Sequence, residues 1–286
     1  LAALEMIESG TTAFADMYYF EEEVARAARE AGLRAVAGET IIRFPSPDAK
    51  TPQEALARAE RFIREWRHDG LVVPAVTPHA LYTLDAPELQ ASRALADRYG
   101  VPLLIHLAET EDEVTVARER LGAASPVAYL DRLGFFGPRT LAAHGVHLST
   151  EDIAILRRRE VAVAHNPESN MKLASGTAPV PALRRAGVTV AVGTDGAASN
   201  NDLDMFEAMR QAALVHKLVT RDPRAVPAAA ALEMATLGGA RALGLADRIG
   251  SLEPGKRADL IVVSMEGARQ TPLYDPLSHL VYVAKG

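Results

Sequence analysis

From Thr11 to Leu243 short apolar runs alternate without a break with amphipathic ones, and this alternation restricts the fold more than any other feature. Seven runs read as buried strands: 11–17, 33–42, 72–77, 101–110, 140–147, 161–165 and 188–194. Between them lie helical signals over 21–30, 52–67, 86–99, 111–132, 149–159 and 180–186, and two further helices fill 203–243. Gly32 and Gly100 stand where helices stop, Pro52 where one starts and Ser149 where one is capped. Strands that alternate with helices form a parallel sheet. The expected fold class is α/β, a (β/α)8 TIM-type barrel whose strands 2–8 are present and whose first strand is absent from this chain, because residues 1–9 already have helical spacing. Residues 1–245 form the barrel in this reading. Residues 246–286, with turn signals at Glu253-Pro254-Gly255 and a strand over 259–263, form part of a small β-sandwich.

The strand ends separate a closed barrel from an open, doubly wound sheet. In order they carry Asp16, His79, His106 with Glu109, His144 with His147, His165 and Asp195. Five of the eight histidines are thus at successive carboxyl ends. A barrel brings such ends to one face and one pocket, whereas an open sheet spreads them along an edge. The central stretch is VPLLIHLAET, 101–110, where His106 ends an apolar strand and Glu109 follows three residues on.

Imidazole and carboxylate without thiolate suit a catalytic zinc, or iron or another divalent ion. His106 and Asp195 are the metal-ligand candidates. Asp195 ends a strongly apolar strand, and burying it without a partner would be costly; an ordinary helix cap is the plain alternative. The chain has no cysteine, which excludes disulfides and thiolate sites. A net charge of −6 without a long basic run argues against a nucleic-acid partner. No apolar stretch reaches the roughly 20 residues that span a bilayer, so no membrane partner is expected. No signal-peptide pattern is visible, and the cytoplasm is the expected location. All four asparagines fall in two segments, HNPESN and ASNND, a mild pointer to function beside the ordinary reading of turn chemistry.

At HLAET, AHGVH, HNPESN and GTDGAASNN the sequence resembles the amidohydrolase superfamily, in particular its 5-methylthioadenosine/S-adenosylhomocysteine deaminase branch, with the triazine chlorohydrolases close by. The resemblance extends from MIESGTTAFADMYY to GSLEPGKRADLIVV. It implies one zinc held by a His-x-His pair on the first strand, by His106 on the fifth and by Asp195 on the eighth. It implies further that Glu109 protonates N1 of an adenine ring while activated water attacks C6. Asp195 then moves the water's proton to the departing ammonia, His144 holds the attacking oxygen and His79 contacts the substrate together with Glu109 and Asp195. The expected partner is a small nucleoside or heterocycle, and a homo-oligomer is the family-level expectation.

Two departures follow. No His-x-His occurs in these 286 residues, so two implied ligands are missing and this chain alone is expected to bind zinc weakly and turn over poorly. Glu39 stands where some relatives carry an arginine for a substrate carboxylate, with Arg43 nearby, which favours an adenosine-like nucleoside over S-adenosylhomocysteine. Triazine dechlorination or deamination of another heterocycle is the rival within the superfamily. Cyclic-amide hydrolysis is disfavoured because VTPHA supplies no lysine. The rival of another class is a metal-free barrel acting as a binding module. His165 is expected to shape the pocket and His147 to be structural or to support it from behind; His68, His216 and His279 are read as structural.

Overall fold

The computed structural model describes residues 1–285. Eight strands follow one another: β1 (Ala13–Tyr18), β2 (Arg34–Ile41), β3 (Val72–Pro74), β4 (Thr77–Pro78), β5 (Leu103–Leu107), β6 (Thr140–His144), β7 (Ala162–His165) and β8 (Val190–Val192). All pairings are parallel. β3 and β4 both pair with β2 and are one run interrupted at Ala75-Val76, where the Val76 N–H turns to the Pro102 carbonyl at 2.9 Å and the Thr77 hydroxyl donates to the Glu39 carbonyl at 2.6 Å. The predicted strand over 72–77 is therefore these two short pieces. Val76 bridges to Leu103, and the His106 N–H donates to the His79 carbonyl at 3.0 Å. The sheet is thus continuous from β1 to β8 as seven barrel strands, the parallel α/β arrangement of a TIM-type barrel.

The two faces of the sheet have separate cores. Val36, Ala75, Leu104, Leu141, Ala162 and Ala191 fill the inside, closed below by Ala240, Ala242, Leu245 and Ile249. Alternate residues such as Leu103, Ile105 and Leu107 face out and pack under the helices with Ile63, Leu89 and Leu130. Period-two alternation sets this partition, and it is why His106, two residues after Leu104, lies on the inner face. Gly38 is required in β2, since a Cβ there would lie 2.8 Å from the Ala75 carbonyl oxygen.

Helices form at most of the predicted places, including Pro52–Trp66, capped by Thr51, and Thr150–Arg158, capped by Ser149. Two short helices, Pro167–Lys172 and Ala197–Asn200, lie where the sequence reading places none. The predicted strand over 259–263 does not form: among the described residues no strand pairs with it, and Leu260, Ile261 and Val262 are exposed. An extended apolar segment becomes a strand only against a partner edge. This one is held instead by Asp259, whose carboxylate takes the buried Arg34 guanidinium at 3.0 Å. Helix Pro276–Tyr282 closes the described chain and packs on helices Met205–Thr220 and Ala228–Glu233.

Candidate metal-dependent active site

The carboxyl ends of β4 to β8 bring His79, His106, Glu109, His144 and Asp195 to one face. The His79 and His106 rings lie 4.8 Å apart, and His106 stacks on His144 at 5.5 Å with 26° between the planes. His144 Nε2 is 3.7 Å from Glu109 Oε2. Tyr82 stands edge-on to His79 at 5.9 Å. His144 is buried, whereas His79, His106, Glu109 and Asp195 keep part of their surface open.

Backbone geometry delivers these side chains. Alternation along β6 puts Leu141 and Ala143 inside and would turn His144 outward. A left-handed backbone at His144, φ 73°, breaks the alternation and lays its ring against His106. Ala108, between His106 and Glu109, has φ 51°, and Asp195 has φ 64°. Non-glycine residues rarely adopt this region, and such strain concentrates at functional sites.

Hydrogen bonds fix the tautomers. His106 Nδ1 lies 3.1 Å from the His79 carbonyl oxygen, which can only accept. The proton therefore sits on Nδ1, leaving the Nε2 lone pair free, the form in which histidine binds metal. Burial and the neighbouring His144 push the His106 pKa down, and burial with His106 beside it pushes His79 down to about 4, so both are neutral at pH 7. His144 Nδ1 bonds Asn170 Oδ1 at 2.9 Å, which aims Nε2 at Glu109. Asp195 receives the Ser169 hydroxyl at 2.7 Å on one oxygen and the Gly196 N–H at 2.7 Å on the other.

Asn170 and Ser169 both lie on helix Pro167–Lys172 and were not singled out from sequence as site residues. The confinement of asparagine to two segments was the available signal, and HNPESN is one of them. His147 bonds the Ser175 carbonyl at 2.8 Å and serves the loop rather than the cluster. His165 is wholly buried, with Nε2 3.1 Å from His216 Nε2, so its contact runs away from the open face toward helix Met205–Thr220. Asp16 does not join the histidines: its charge bears on Glu21, in an acidic group with Glu22 and Glu39 outside the barrel wall. Glu39, whose side chain is buried, is bound to Arg58 at 2.9 Å.

The donor set tests for a metal. His106 with a free Nε2 and Asp195 are donors of the right kind for zinc or a similar ion. They are two in number, and among the described residues no three His, Cys, Asp or Glu side chains are arranged to hold an ion. The chain thus fits half of a four-coordinate site.

The strand ends of this parallel α/β barrel thus gather imidazoles and carboxylates on one face. The chain belongs to the amidohydrolase family, whose model matches residues 1–286. It is 52% identical over 285 residues to a 5-methylthioadenosine/S-adenosylhomocysteine deaminase from Syntrophobacter fumaroxidans, covering 100% of this chain and 65% of that protein. It is 49% identical to a 5'-deoxyadenosine deaminase from Methanosarcina acetivorans, covering 100% of this chain and 66% of that one. The crystal structure of an adenosine deaminase from Xanthomonas campestris with bound zinc superposes with a TM-score of 0.97 at 45% identity, over 99% of this chain and 64% of that one. The chain spans about two thirds of the length of these relatives.

Proposed function

We propose that the protein catalyses the zinc-dependent hydrolytic deamination of an adenosine-type nucleoside to the corresponding inosine analogue and ammonia. The observation that carries this reading is the triad of His106, His144 and Glu109: a histidine with a free Nε2, stacked on a second whose Nε2 faces a carboxyl 3.7 Å away. The names of the deaminase relatives support the substrate class, and the zinc in the Xanthomonas enzyme supports the metal.

His106 and Asp195 would hold the metal, and a divalent ion bound there supplies the Lewis acidity that activates water near neutral pH. The protein's own groups handle the protons. Glu109 gives a proton to the ring nitrogen beside the reacting carbon, drawing electrons from that carbon as water adds. Asp195 takes the water's proton and passes it to the amino group, which leaves as ammonia, and the proton remaining on the added hydroxyl returns to Glu109 as the carbonyl forms. His144, held by Asn170, keeps the attacking oxygen in place through Nε2. His79, neutral and backed by Thr83 at 3.1 Å, lines the substrate side. Each positioned proton-transfer group contributes about 10²- to 10⁴-fold.

The test is the zinc-loaded full-length protein with adenosine, 5'-deoxyadenosine and 5'-methylthioadenosine, following loss of adenine absorbance and release of ammonia. Glu109→Gln is expected to lower kcat by about 10²-fold or more. No ammonia from any of the three, or near-full activity in the Gln variant, overturns the assignment.

A further inference from the structure

We infer that Glu113 is a positioning residue for Glu109, clamping the left-handed turn at the end of β5 so that the Glu109 carboxyl is presented to His144. The inference rests on the deaminase reading for what Glu109 does, but not for how Glu113 holds it.

Glu113 lies in the first turn of helix Glu111–Glu119, which Thr110 caps by accepting the Glu113 N–H at 3.4 Å. A glutamate there ordinarily turns back to the cap residue's own N–H. Glu88 does so with Asp85, and Asp152 with Ser149, each at 2.9 Å. Glu113 reaches one residue further: its Oε2 accepts the N–H of Glu109 at 2.9 Å. Glu54 makes a comparable bond to the Lys50 N–H while exposed, so such a bond does not require burial.

Glu113, in contrast, is 2% exposed, and its Oε1 has no partner. Burial and the nearby Glu109 push its pKa up to about 7. Burying a carboxyl with one oxygen unpaired is unfavourable, and capping alone does not explain it. The peptide it grips does. Ala108 holds φ 51°, and its carbonyl accepts the N–H groups of Val146 at 3.0 Å and His147 at 2.9 Å, in the turn that follows His144. One carboxyl thus fixes the peptide that joins the Glu109 turn to the His144 turn.

The test compares Glu113→Ala, which removes the acceptor, with Glu113→Gln, which keeps an oxygen for the Glu109 N–H. In the full-length zinc-loaded protein, Glu113→Ala is expected to lower kcat by about 10- to 100-fold with KM changed less than about threefold, the order expected when a catalytic group is misplaced by about 1 Å. Glu113→Gln is expected to restore most of kcat. Independently of activity, the Glu109 amide proton resonance should lie downfield in the wild type and in Glu113→Gln and move upfield in the Ala variant. If Glu113→Ala does not fold, Glu113→Asp, one methylene shorter, replaces it. Wild-type kcat together with an unmoved Glu109 amide in the acceptor-withdrawing variant overturns the inference. If the wild type deaminates nothing, the proposed function fails and the amide resonance alone decides the clamp.

Discussion

The bond from His106 Nδ1 to the His79 carbonyl determines what His106 can do, since it leaves Nε2 as the only free nitrogen of the ring. His106→Ala is therefore expected to lose most of the bound zinc of the full-length protein while keeping its fold, read by elemental analysis of dialysed protein beside a far-UV spectrum. Zinc retained at full stoichiometry would remove His106 from the site. His106, His144, Glu109 and Asp195 were legible in the sequence because each lies at the end of an apolar run, and a run's end can be read from one segment alone. Asn170, Ser169 and Glu113 were not, for a common reason. Each acts by a bond whose meaning depends on a turn: the short helix Pro167–Lys172 beside His144 and Asp195, or the left-handed Ala108. The His165–His216 pair was hidden as well, because its two members are joined across 51 residues.

Among elements, the strands were legible from apolar runs, and the parallel order followed from the helices between them. The break between β3 and β4 was not legible, because the apolar run over 72–77 continues across it. The 259–263 segment misled because composition reports a preference for extended structure, not the presence of a partner edge. The junction of β7 and β8 tests how tightly the site is held. A Cβ on Gly193 would meet Asn166 Oδ1 at 2.7 Å, and the Gly193 N–H already donates to the His165 carbonyl at 3.0 Å. Gly193→Ala should force Asn166 or the β8 end to move, at a cost of about 1–3 kcal/mol typical of overpacking. Chemical denaturation measures that cost, and a midpoint equal to that of the wild type would show that Asn166 swings aside freely.

At the scale of the molecule, buried titratable groups fall into two opposed sets. Burial and the adjacent Lys217 push His216 down to about 4, and burial also holds His165 well below its ordinary value. Their stabilising contribution is complete above about pH 6.5, the value in the unfolded chain, and is lost as the pH falls toward 4. Glu21 and Glu39 have the opposite sign. Burial with Asp16 nearby pushes Glu21 up to about 9, and burial with a hydrogen bond to Asp48 pushes Glu39 up to about 8 despite Arg58. These two favour the folded state most below about pH 4.5, and that contribution drains away as the pH rises through 8 and 9. Between pH 7 and 9 the histidines are neutral in both states, so the carboxyls control the slope there. Tm is expected to fall by several degrees from pH 7 to pH 9. In Glu21→Gln, whose amide oxygen can still accept the Tyr18 N–H held at 3.0 Å by Glu21, the fall should be clearly smaller. Scanning calorimetry at the two pH values decides the matter: an equal fall in wild type and variant would mean that Glu21 is already ionised in the folded protein and that the acidic group outside the barrel wall is open to water.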